Sequence, residues 1–246
     1  MLLIPVLDLR GGQVVRAVRG ERGRYQPVRS RLVAGSEPCA VARALLGASG
    51  SDTLYVADID ALLGAPPQTA VIAALLDALP ATTLWLDAGF ADAASARALL
   101  AALGPQVATT PITPVFGSES LRSLDALDDA AGVILSLDRH RGRALDAAGL
   151  WGEPSRWPER VIAMALDAVG AAAGPELALF AQLRARAPQR HWIGAGGIRD
   201  DADLDACAKA GAHGWLVASA LHDARLAQRG AAVDAAGTRL ASEAAT

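Results

Sequence analysis

The sequence predicts a single (β/α)8 barrel, the TIM fold, spanning residues 1–246. Three observations predict it. Eight short apolar runs alternate with longer alanine-rich segments along 246 residues, close to the ~250 typical of this barrel. A glycine-rich turn, Gly194-Ala-Gly-Gly-Ile-Arg, leads from the seventh run into a helical segment, the kind of turn that places it among the phosphate-binding barrels. Four patterns of the first half recur in order in the second, which suggests two half-barrel repeats.

The strands are expected at residues 2–7, 53–57, 83–86, 112–116, 133–137, 160–166, 190–194 and 214–218. Their runs are almost continuously apolar, as strands buried on both faces must be. The fourth is interrupted by Pro111 and Pro114, and proline donates no ladder hydrogen bond. Helices are expected at 38–47, 67–79, 91–103, 119–127, 174–187, 200–210 and 221–228. Pro67, Pro175 and the Asp200-Asp201 pair supply start signals. The repeat matches Asp8 and Gly12 with Asp138 and Gly142, Trp85-Leu-Asp-Ala-Gly with Trp192-Ile-Gly-Ala-Gly, Asp60 with Asp167, and Phe116 with Val217. Residues 231–246 are expected to form a tail with little order.

Composition narrows the function classes. Apolar residues make up 52% of the chain, enough for a large core. No run approaches the ~20 apolar residues that cross a bilayer. The opening apolar run meets Asp8 at once and reads as a strand, not a signal peptide. A net charge of −3 excludes nucleic-acid binding by bulk charge. Cys39 and Cys207 stand far apart, and none of the four histidines is spaced from another as a metal ligand. A cytoplasmic protein without metal or cofactor is expected. Oligomeric state is not legible.

Candidate chemistry lies at the strand ends. Asp8 and Asp138 each close an apolar strand and, by the repeat, face one another across the barrel mouth. Burial raises a carboxyl pKa toward neutrality, and such a pair can work as general base and acid. Asp167 is the alternative acid. Gly196, Gly197, Ala218 and Ser219 would bind a phosphate through backbone N–H groups. The opposite anion site would use Gly89, Gly117 and Ser118, but Asp87 and Phe90 stand where bare backbone is needed, so it reads as damaged. The first loop carries Arg16, Arg19, Arg22, Arg24, Arg29 and Arg31 with Tyr25 among them. Arg16 and Arg19, with Trp151 of the later loop, could close over an anionic substrate.

The run Ile4-Pro-Val-Leu-Asp-Leu-Arg-Gly-Gly-Gln-Val-Val-Arg resembles the first strand of the HisA/HisF family of histidine-biosynthesis barrels. Val56-Ala-Asp-Ile-Asp-Ala resembles the second strand, Ser136-Leu-Asp-Arg-His-Arg-Gly-Arg-Ala the fifth, and Gly194-Ala-Gly-Gly-Ile-Arg the seventh. The resemblance covers residues 1 to about 225. It implies a phosphorylated ribosyl or aminosugar substrate and a carboxylate pair at Asp8 and Asp138. Trp151 leans toward the isomerase branch, which converts an aminoaldose to an aminoketose without a cofactor. The turn at Asp87, the sixth-strand run Met164-Ala-Leu-Asp-Ala-Val-Gly and the Ala218-Ser219 pair depart from the family pattern. Gly20-Glu-Arg-Gly-Arg-Tyr-Gln-Pro27 resembles a divergent subgroup associated with tetrahydromethanopterin pathways. A barrel that merely binds a phosphorylated ligand is the non-enzymatic alternative.

Overall fold

Alternation along each strand decides the architecture. In the computed structural model, which describes residues 1–104, 110–127 and 132–229, the eight barrel strands are β1 (Leu2–Arg10), β2 (Thr53–Asp58), β3 (Thr83–Asp87), β4 (Ile112–Gly117), β5 (Ile134–His140), β6 (Arg160–Ala165), β7 (His191–Ala195) and β8 (Gly214–Val217). Each pairs in parallel with the next, and β8 returns to β1 through Leu2↔Gly214 to Pro5↔Val217, which closes the barrel. All eight expected strands are present. Thr113 and Pro114 of β4 still pair with β3, Pro114 opposite Leu86.

One residue of every strand fills the lower barrel: Ile4, Tyr55, Trp85, Val115, Ile134, Ile162, Ile193 and Leu216. Their neighbours along each strand, such as Leu3, Leu54, Leu84, Phe116, Leu135, Val161, Trp192 and Trp215, point outward into the helix layer. The main helices are α1 (Pro38–Ser49), α2 (Thr69–Ala78), α3 (Ala93–Ala102), α4 (Leu177–Arg186) and α5 (Asp201–Lys209). Glu37, Asp92 and Asp200 accept N-terminal backbone N–H groups of α1, α3 and α5, which satisfies donors that a helix start leaves open.

Two expected helices are corrected. Over 119–127 the described chain forms only a 3-10 turn, Leu124–Leu127. The segment before it is a tight turn, with Ser120 and Leu121 N–H groups donating to Gly117 O. The last helix is a single turn, Ser219–His222, ended where Ala224 takes a positive φ of 50°. The expected tail at 231–246 lies outside the described residues.

Both half-barrels carry a hairpin at the mouth that the strand pattern did not announce. β1 turns at Gly11-Gly12 into the antiparallel Gln13–Arg16, which pairs onward with Gln26–Pro27. β5 turns at Arg141-Gly142 into Arg143–Ala144. All four turn residues have positive φ, the geometry of a two-residue hairpin. The repeat shows in how these turns are held. Gly11 N–H donates to Asp60 at 2.7 Å, and Arg141 N–H donates to Asp167 at 2.7 Å. One of the four matched patterns is out of step. Trp85 points into the barrel and Trp192 out of it, so Asp87 corresponds in facing to Ala195 and not to Gly194.

Behind β6–β8 the helix layer is aromatic: Phe180 lies 6.4 Å from Trp192 and 5.5 Å from Trp215, and Trp157 lies 5.7 Å from Trp192. Gly194 leaves room for this packing, since a Cβ there would sit 2.1 Å from the Trp215 ring. Gly194→Ala should therefore destabilise the fold by about 2–3 kcal/mol through overpacking. Thermal unfolding should show a Tm lower by several degrees; an unchanged Tm would mean that this packing is looser than described.

Candidate active site

The mouth opens into a cavity lined from both half-barrels. Strand alternation brings Asp8 of β1, Asp87 of β3 and Asp138 of β5 to its wall, all buried. Glu119, from the turn after β4, completes an acidic wall. Arg22 and Tyr25, from the loop after β1, fold over it. Tyr55 of β2 donates its hydroxyl to Asp87 Oδ2 at 2.9 Å.

The carboxyls are held in different ways. Asp138 accepts from Ser136 Oγ at 2.6 Å, Ser118 Oγ at 3.3 Å and Glu119 N–H at 3.3 Å. Asp87 accepts from Gly89 N–H at 3.2 Å. Glu119 and Arg22 form an ion pair. Asp8 has only 8% of its surface exposed, and among the described residues its carboxyl accepts no hydrogen bond. Desolvation is the main cause that pushes Asp8 up to about 7, against a lowering by Arg22. Burial and the neighbouring Glu119 raise Asp87 to about 6 and Asp138 to about 8. A cavity with carboxyls in this range can exchange protons with a ligand at neutral pH.

The opposite wall carries no charge. Gly196, Gly197, Ala218 and Ser219 all line it, as expected, with Gly170 and Ala172 from the loop after β6. Gly196 and Gly197 take φ of 80° and 85°. A Cβ at Gly197 would lie 2.0 Å from Gly174 O, so glycine is required there.

The second expected anion site is occupied from within. Gly89 N–H is committed to Asp87, Ser118 N–H to Ser136 O at 2.8 Å, and Glu119 N–H to Asp138. Phe90 does not fill this space; it packs edge-on to Phe116 in the helix layer, 5.8 Å between centroids. Asp87, read from sequence as damage, is a member of the acidic wall.

Four other expected site residues are not among those lining the cavity. Asp167 secures the Arg141 turn, as Asp60 secures its twin. Arg16 pairs with Asp223. Arg19 ties its loop to the loop after β6 by an N–H bond to Val169 O at 2.8 Å. Trp151 supports the site from behind, its Nε1 3.4 Å from Ser118 Oγ. Sequence reasoning missed Tyr55 and Glu119 and named Arg22 and Tyr25 only within a charged loop. Inward facing on β2 was the available signal for Tyr55; Glu119 sits on a turn that no periodicity marks. Among the described residues no helix is long and apolar enough to cross a membrane, and no three His, Cys, Asp or Glu side chains group to hold a metal.

A closed eight-stranded barrel with buried carboxyls at the C-terminal strand ends and a glycine wall facing them defines the class. The sequence pattern of the family described as histidine biosynthesis protein matches residues 2–227, and the chain belongs to that family. It is 29% identical over 241 residues to a 1-(5-phosphoribosyl)-5-((5-phosphoribosylamino)methylideneamino)imidazole-4-carboxamide isomerase of Xanthomonas campestris pv. campestris, covering 90% of this chain and 94% of the relative. An isomerase of the same name from a Jannaschia species is 29% identical over 246 residues, covering 92% and 96%. An uncharacterised protein of Methanocaldococcus jannaschii is 24% identical over 223 residues, covering 90% and 93%.

A raised carboxyl pKa has a stability signature. The native state holds the Asp8 proton that the unfolded chain releases at ordinary carboxylate pH. That contribution is present at low pH and is lost as pH rises toward and past about 7. Asp8→Asn removes the ionisation, so its Tm should exceed that of the wild type by a few degrees at pH 8 and match it near pH 4. Equal Tm values at both pH values would mean that Asp8 is not desolvated in this way.

Proposed function

We propose that this protein is an isomerase of a phosphorylated aminosugar or ribosyl compound, acting by carboxyl acid/base catalysis in an aldose–ketose rearrangement of the Amadori type. The observation that carries this reading is that buried Asp8 and Asp138, from strands on opposite sides of the barrel, line one cavity together with the Gly196-Gly197 turn. The glycine turn Gly196-Gly197 with Ser219 would seat the phosphate, since backbone N–H groups approach an anion closely where side chains are absent. The relatives named as isomerases support the reaction type.

Burial raises both carboxyls toward neutrality, so both can exchange protons with a bound substrate. In this reading Asp138 is the acid: it gives its proton to the ring oxygen as the C1–O bond breaks and an iminium forms. Asp8 is the base: it takes the proton from the adjacent carbon, leaving an enaminol. Tautomerisation of the enaminol gives the ketone, and the product has the atoms of the substrate. No cofactor enters these steps. Asp8→Asn should lower turnover by about 10²–10⁴-fold with the fold intact, and retention of wild-type turnover would remove Asp8 from the role.

A second reading is favoured by one observation: the N–H groups of the second anion site are already committed to Asp87, Asp138 and Ser136. A relative of the isomerases with a different, singly phosphorylated substrate, such as one in tetrahydromethanopterin-type cofactor synthesis, would need no second site. Complementation of a histidine auxotroph lacking the isomerase separates the two. Growth supports the histidine-pathway substrate; failure with folded protein present supports the other. Crystals soaked in sulfate should show an anion at Gly196, Gly197 and Ser219 and none at Gly89 and Gly117–Ser118. Equal occupancy would restore the two-phosphate substrate.

A further inference from the structure

The cavity is electrically polarised in a way that the reaction alone does not require. One wall is backbone and glycine, from Gly196, Gly197 and the Ala218–Ser219 turn. The other, from the ends of β3 to β5, carries Asp87, Glu119 and Asp138 with one guanidinium, Arg22, beside Glu119. Two of the acids converge. A Cβ built on Gly117 would lie 3.1 Å from Asp138 Oδ2 and 3.8 Å from Asp87 Oδ2. The glycine therefore keeps open a space that both carboxyls border. Asp8, across the mouth from Asp138, has a buried carboxyl that accepts no hydrogen bond among the described residues. Arg22 offsets this wall only in part: its guanidinium is ion-paired with Glu119, and it is one positive charge among three acids there.

We propose that the substrate is a monophosphate whose far end is cationic or amino-bearing, an amine, amidine or aminoheterocycle, held by Asp87 and Glu119 where a second phosphate would otherwise lie. The proposal rests on the acid/base reading above and names the substrate class for that site. A second phosphate would meet two buried carboxyls and backbone N–H groups already in use. A cation or a hydrogen-bond donor would meet acceptors that lack enough positive charge around them. Burial has pushed Asp87 toward neutrality, and a bound cation would relieve that cost by favouring its ionised form. A metal ion fits the wall less well, because no three acids group at ligand spacing among the described residues. An amine reaches separated carboxyls by hydrogen bonds along several directions.

The test is equilibrium binding, by calorimetry on the full chain, of three probe series matched in chain length: aminoalkyl phosphates, alkyl phosphates and alkanediol bisphosphates. At the best length the aminoalkyl phosphate should bind about tenfold tighter than the alkyl phosphate, a difference of about 1.4 kcal/mol, and tighter than the bisphosphate. Asp87→Asn should shrink that preference to about threefold or less. Glu119→Gln releases Arg22 and should improve bisphosphate binding relative to wild type. Bisphosphates binding tightest, or an amine that adds nothing, would overturn the inference while leaving the acid/base reading in place. If no phosphate of any series binds, the glycine wall is not an anion site, and both the inference and the proposed function fall.

Discussion

The pairing of β8 with β1, from Leu2↔Gly214 to Pro5↔Val217, removes both edges of the sheet and fixes the facing of every strand. A parallel sheet left open would present unpaired N–H and C=O groups at each edge. Once it is closed, each strand sends alternate residues inward. Gly214 sits at this seam, where a Cβ would come within 3.2 Å of Ile4 Cδ1. Everything at the mouth depends on this alternation. Ile4 and Asp8 face inward from β1, Trp85 and Asp87 from β3, Ile134 and Asp138 from β5. Apolar residues fill the lower barrel, and carboxyls stand above them at the edge of solvent.

That arrangement opposes stability to chemistry. Three carboxyls buried at the strand ends are costly to ionise, and the protein offsets only part of the cost. Ser118, Ser136 and the Glu119 N–H group bond to Asp138, and Tyr55 and Gly89 bond to Asp87. Asp8 is left without such support. An exposed carboxylate would be easier to accommodate but would stay ionised and could give no proton near neutrality.

The two half-barrels share a scaffold and differ in what it carries. Asp60 and Asp167 hold equivalent hairpin turns by equivalent 2.7 Å bonds. Arg141 adopts a φ of 51° where its twin is Gly11 at 55°, and the Asp167 bond supports this less favourable backbone. Asp8 and Asp138 also occupy matching positions. The site breaks the symmetry at β3 and β7: Asp87 stands on one side and Ala195 on the other, so one wall became acidic and the other remained bare backbone.

The sequence by itself determined the strands, their order and the inward position of Asp8 and Asp138, because these follow from local alternation and from a repeat that survives in the linear pattern. It also marked the Gly196-Gly197 turn, whose positive φ angles only glycine adopts readily. The family was legible for the same reason, since its motifs lie at strand ends. What the sequence alone did not determine is what meets at the mouth. Arg22 and Glu119 are far apart in the chain, and their pairing depends on how the first loop folds back across the barrel. Asp87 reads as an intruder in a glycine turn until Tyr55 and Asp138 are seen beside it. A one-residue shift in the repeat put Trp85 and Trp192 in register although they face opposite layers, because sequence similarity does not distinguish the two sides of a strand. Asp167 reads as a catalytic acid until its bond to the Arg141 turn is seen. Local pattern fixes which way a side chain faces; only the closed barrel decides which loops and which charges share the space it faces.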